Sequence, residues 1–212
     1  METLPTGISV LDREFGGGLP SGSVVALKAD PASQSELIIN RLSRVRKCRY
    51  LTTVRSPDAV EAGLTLDGGT AAADAAEETV VRSVDGDDPF EDALSVAADL
   101  PERGTLVIDS VEPFEAKERD RYRTLLNDVR QHVDEAGGIA VLHAFKGGSI
   151  GQNRVVTEQV ADVVFDLRTT VTGTEIANRL VVPKFRGGAA LEEPLKLKLT
   201  DTVSVDTSRD IA

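Results

Sequence analysis

Short apolar, β-branched runs alternate with stretches of helical periodicity along the chain. Val24-Val25-Ala26-Leu27 predicts a buried strand, and residues 36–46 the helix that follows it. The alternation then repeats. Strand 50–53 is followed by a short helix over 57–64, strand 79–84 by a helix over 89–100, and strand 105–109 by a helix over 117–136. Strand 138–143 and strand 163–167 flank a short helix. Tyr122, Leu125, Leu126, Val129 and Val133 recur at the spacing of one helix face. Thr105-Leu106-Val107-Ile108-Asp109 is a continuous apolar run ending in an acid, the pattern of a parallel strand covered on both faces. Residues 178–182, 195–199 and 203–205 alternate instead, as antiparallel strands do. Together these predict an α/β fold: a mostly parallel twisted sheet, helices on both faces, and antiparallel C-terminal strands extending one edge. Residues 67–78 are rich in Ala, Gly and Asp and read as a flexible connection within a single domain over 1–212.

Composition narrows the setting. With 212 residues and 41% apolar content the chain can bury a substantial core. Its apolar runs fall far short of a membrane span, and Met1-Glu2-Thr3-Leu4-Pro5 lacks the basic-then-apolar order of a secretion signal. A cytoplasmic protein without membrane insertion is expected. The single cysteine, Cys48, excludes an internal disulfide framework and a Cys-rich metal site. Twenty-four Lys and Arg against 35 Asp and Glu give a charge of −11, which disfavours nucleic-acid binding. Only 7 of the 24 cations are Lys, Asp (19) outnumbers Glu (16), and Trp is absent. Such a surface repels itself in dilute buffer but is tolerable where molar salt shortens screening to about 3 Å, so a salt-loving, halophilic cytoplasm is expected.

In a sheet of this kind ligands bind beyond the carboxyl ends of the strands, above all at the first strand-to-helix turn. A phosphate-binding turn there reads G-x-x-x-x-G-K-[ST]. This chain has Ala29-Asp30-Pro31-Ala32-Ser33-Gln34-Ser35-Glu36 in that place. The location fits; the chemistry does not.

Several other segments carry a resemblance. Leu4-Pro5-Thr6-Gly7-Ile8-Ser9-Val10-Leu11-Asp12, then Gly16-Gly17-Gly18-Leu19-Pro20-Ser21-Gly22-Ser23, is similar to the lead-in to the P-loop of the RecA/KaiC superfamily, particularly its archaeal KaiC-like and RadA-related single-domain members. Thr105 to Ser110 resembles the strand bearing the Walker B aspartate, and Lys184-Phe185-Arg186-Gly187 the late Lys-x-Arg-Gly segment. The resemblance implies a RecA-like fold, with ATP and magnesium as cofactors and ATPase activity in signalling or DNA repair.

The departures count against that activity. Ala29, Ala32 and Gln34 stand at glycine positions, Ser35 at the lysine, and Glu36 at the Ser/Thr that would hold magnesium. One cation is lost and one anion gained. Each unit-charge pair near 4 Å is worth about 4 kcal/mol at an effective dielectric of about 20, against about 8 kcal/mol for micromolar binding. Ser33-Gln34-Ser35-Glu36 also fits a capping box, in which Ser33 and Glu36 occupy the amides a phosphate would use. Past the second strand, Val54 or Arg55 stands where the resemblance places a catalytic acid. The expectation is a non-hydrolysing RecA/KaiC-like protein without a catalytic residue, cofactor or metal, acting as a regulatory or assembly subunit with a protein partner or with copies of itself.

The remaining candidates keep two readings each. Asp109 is either the magnesium-position acid or a turn acid. His143 is either the residue that resembles a γ-phosphate sensor or a satisfied strand-end histidine. Lys184 and Arg186 either reach a neighbouring subunit or guard an edge strand with charge. Arg41, Arg44, Arg46, Lys47 and Arg49 form a basic cluster that is a solvated helix end or a docking patch. Loop 146–154, in the position of a DNA-contacting loop of recombinases, carries only Lys146 and Arg154 as cations.

Overall fold

The structure is a computed structural model that describes residues 2–66, 79–85, 88–147, 151–173, 175–188 and 190–205. The stretch 67–78, read above as a connection, lies outside them. A small antiparallel pair, β1 (Thr3–Leu4) and β2 (Leu19–Pro20), flanks α1 (Ser9–Glu14). The main sheet contains β3 (Ser23–Ala29), β4 (Cys48–Thr52), β5 (Thr79–Ser83), β6 (Thr105–Asp109), β7 (Ile139–Phe145), β8 (Val163–Thr172), β9 (Glu175–Phe185), β10 (Leu195–Leu199) and β11 (Val203–Val205). Its order is β11-β10-β9-β8-β3-β7-β6-β4-β5. The six strands from β3 to β8 run parallel, and β9 to β11 add antiparallel on the β8 side. The fold expected from the alternation of strands and helices is the fold observed.

The central parallel strands β3, β6 and β7 are mostly apolar on both faces because each face is covered. Val25, Leu27, Val107 and Val141 pack with α1 and with Ile38, Ile39 and Leu42 of α2 (Ser35–Arg44). Val24, Leu106, Ile108 and Leu142 pack on the other face with α4 (Pro89–Ala98) and with Tyr122, Leu125, Leu126, Val129 and Val133 of α6 (Arg119–Glu135). Between them in the chain come α3 (Pro57–Leu66), α5 (Glu112–Glu115) and, after β7, α7 (Arg154–Val160).

The lead-in motif has a structural task. Asp12 Oδ1 accepts from the Thr6 amide at 2.6 Å and the Thr6 hydroxyl at 2.7 Å, while Thr6 Oγ1 accepts from the Ile8 amide, clasping the start of α1. Gly18 has φ +127°, and a Cβ there would lie 2.1 Å from the Leu4 carbonyl oxygen, so only glycine lets β1 and β2 pair.

Among the described residues no helix is long and apolar enough to cross a membrane.

Candidate functional site

The chain passes from β3 over two neighbours to β4 and later returns to the other side of β3 with β8, so the carboxyl ends of β3, β7, β6 and β4 lie side by side. Register brings their residues together. Asp109 pairs with His143 on one side and Thr52 on the other, and His143 pairs with Leu27. Asp109 follows Val107, and His143 follows Val141, at a spacing of two, so both side chains lie on the face covered by α2.

One hydrogen-bonded chain results. The Ser35 hydroxyl, at the first residue of α2, lies 3.0 Å from His143 Nε2, and His143 Nδ1 lies 2.7 Å from Asp109 Oδ1. Asp109 Oδ2 accepts from the Tyr50 hydroxyl at 2.5 Å and from Arg55 Nη2 at 2.9 Å, and Arg55 Nη2 also donates to the Tyr50 oxygen at 3.1 Å. Burial alone would raise the Asp109 carboxyl; His143, Tyr50 and Arg55 outweigh it and hold the group at about 2. Burial and the neighbouring Asp109 charge push the Tyr50 phenol far up, so it stays a donor. A carboxylate can only accept, so His143 Nδ1 carries a proton, and in the neutral ring Nε2 accepts from Ser35. Ser35 and His143 are 1% and 0% exposed.

The order Ser–His–Asp is that of a nucleophile relay at a strand-to-helix turn. Here the hydroxyl faces inward and is closed off from solvent. The donor set does not fit a magnesium–nucleotide group either: both oxygens of Asp109 are taken by this chain's own donors, and Arg55 brings a cation to the place where the resemblance puts an acid.

The turn before α2 is fastened from two sides. Ala29 O accepts from the Lys146 amide at 2.7 Å. The Gln34 side-chain amide, with nitrogen as donor, meets the Leu199 and Thr200 carbonyls at 3.2 Å each. The capping box expected from Ser33 and Glu36 is not formed. Ser33 turns its hydroxyl onto the Asp30 carbonyl at 2.6 Å, closing a tight turn, and α2 begins after Gln34 with no side-chain cap. Ala32, Gln34 and Glu36 are exposed and Ala29 is buried, so of the five residues in the Walker A position only Ser35 joins Asp109 and His143.

The other candidates are used internally. Lys184 Nζ donates to the carbonyls of Glu158 (2.7 Å) and Gln159 (3.0 Å) at the end of α7, and Arg186 Nη2 to Gln159 O at 3.1 Å. Lys146 bonds the Leu167 carbonyl at 2.6 Å and pairs with Asp166. Arg46 reaches Thr105 Oγ1 at 2.9 Å, with burial lowering its pKa to about 10, and Arg49 pairs with Asp99 at 2.7 Å. Cys48 is buried, and burial pushes its thiol up to about 12.

Sequence reasoning passed over a second buried network. Arg154 donates to Glu115 Oε1 and Glu112 Oε1 at 2.8 Å each and to Phe145 O at 2.9 Å, while Asn153 Nδ2 holds the carbonyls of Glu115 (3.0 Å) and Lys117 (2.9 Å). The signal available was Glu112 and Glu115 three residues apart just past an apolar strand.

A model for a family of unknown function, DUF7125, matches residues 3–212. The chain belongs to this family. No curated protein matches the sequence. Among solved structures, the KaiC-like protein PH0186 of the hyperthermophilic archaeon Pyrococcus horikoshii superposes with a TM-score of 0.78 at 15% identity, covering 97% of this chain and 99% of that one. At that identity the likeness shows the fold of this DUF7125 member: a KaiC-like RecA fold.

Proposed function

We propose that this DUF7125 chain is a non-hydrolysing RecA/KaiC-fold protein whose nucleotide site has been replaced by its own side chains, and that it works through protein contacts as a regulatory or assembly subunit. The observation that carries this reading is the capture of both Asp109 oxygens by His143, Tyr50 and Arg55. A magnesium ion needs that carboxylate free, and a triphosphate needs a cation at Ser35 in place of a buried hydroxyl. The setting is a salt-rich cytoplasm, as the −11 charge and the scarcity of lysine favour, and the partner is protein rather than nucleic acid.

Calorimetry with ATP and magnesium in molar KCl tests it. No heat of binding is expected up to about millimolar nucleotide, and micromolar affinity would sink the reading in favour of a weak ATP-binding member of the fold. The enclosed Ser35 hydroxyl gives a second check. A fluorophosphonate probe, which marks nucleophilic serines, is expected to leave Ser35 unlabelled in the folded protein; a Ser35 adduct lost in His143→Ala would instead make the chain a hydrolase.

A further inference from the structure

The hairpin of β8 and β9 outgrows the sheet that bears it. On one side β8 pairs with β3 only over Val163–Asp166; on the other, β9 pairs with β10 only over Asn178–Leu180. Beyond those limits, residues 168–172 have β9 alone as a neighbour, and 170–172 pair with 175–177 as a two-stranded ribbon rising past the carboxyl end of β3. The base of its β8 edge is closed by Lys146 on the Leu167 carbonyl. Above that point no described strand borders β8.

Natural edges of this kind are guarded by lysine, proline or a bulge. From Arg168 to Thr172 this edge has neither lysine nor proline: it reads Arg-Thr-Thr-Val-Thr, and its one charge is held by Asp166 at 3.1 Å. Val171 and Ile176 stand opposite each other in register, 68% and 66% exposed. Residues 168–179 carry two arginines and one glutamate in a chain of charge −11, so the excess of carboxylates that sets copies apart is not found on this ribbon.

We propose that the β8 edge of this ribbon is a self-association surface whose occupant is the same edge of a second copy, paired antiparallel about a two-fold axis at Thr170. That register sets Val171 against Thr169 and Arg168 against Thr172 of the second copy, so no like charges lie directly opposite and β-branched side chains meet across the seam. The contact is isologous and closes at two copies. With so short a strand it forms a weak, concentration-dependent dimer. The inference goes beyond the nucleotide reading and stands or falls independently of it, because no residue is shared.

Sedimentation of the full chain in about 2 M KCl, where charge repulsion is screened, tests the association over a wide range of concentration. A monomer–dimer equilibrium is expected, weakened about tenfold or more in Val171→Lys, a solvent-exposed change that leaves the melting temperature near that of the wild type. Residues paired directly across an antiparallel seam lie within disulfide reach. Thr170→Cys is therefore expected to cross-link to itself under mild oxidation, while Glu61→Cys, on exposed α3, is not. A chain monomeric at every concentration, a dimer indifferent to Val171→Lys, or equal cross-linking of the two cysteine variants overturns the proposal, whatever calorimetry says of ATP.

Discussion

Asp109→Ala is expected to destabilise the protein by about 3 kcal/mol or more, read as a lowered denaturation midpoint at fixed salt. The cost is larger than that of an exposed ion pair because the loss is shared: His143 and Tyr50 are both 0% exposed, and each would be left with a polar group facing an apolar wall. The same carboxylate sets an acid limit. Its folded pKa, about 2, lies below the ordinary 3.8, so its contribution is complete above about pH 4 and disappears as pH falls through about 2. Integrated over that window it amounts to about 2 kcal/mol. Asp109→Asn is expected to remove that part of the pH dependence while leaving the rest. An acid unfolding curve unchanged in this variant would show that another group governs the window.

Arg154→Ala carries an effect of similar size from a different cause. Its guanidinium, 9% exposed, is the cation between Glu112 and the fully buried Glu115 side chain. Removing it strands a carboxylate away from water, and the cost of an uncompensated buried charge is about 3–5 kcal/mol. The double variant Arg154→Met with Glu115→Gln is expected to recover part of that loss, since the stranded charge is gone as well. A single variant as stable as the wild type would mean that water or another cation reaches Glu115.

The sheet was legible because burial writes itself into composition. A strand covered on both faces is apolar along its length, as at 24–27 and 106–108, and the shortness and β-branching of these runs mark them as strands. The antiparallel strands were legible from their alternation, though not the length of β8 and β9, whose outer halves are polar, β-branched and without a core to signal. The position of the site was legible at the first strand-to-helix turn; its wiring was not. Ser35 and His143 lie 108 residues apart and meet through strand order, which single-chain periodicity does not encode. The capping box failed for a local reason: the spacing Ser-x-x-Glu was met, yet the Asp30 carbonyl was nearer to the Ser33 hydroxyl than any helix amide. Arg154 was placed in a loop by its glycine-rich neighbours, when it begins a helix and points inward.

The clasp between Gln34 and the turn after β10 joins regions that the chain makes early and late. The first crossover of the fold is thereby sealed by a strand synthesised more than 150 residues later. Until β10 has docked, the segment leading into α2 lacks part of its anchorage, so no portion that stops short of Thr200 makes that corner rigid.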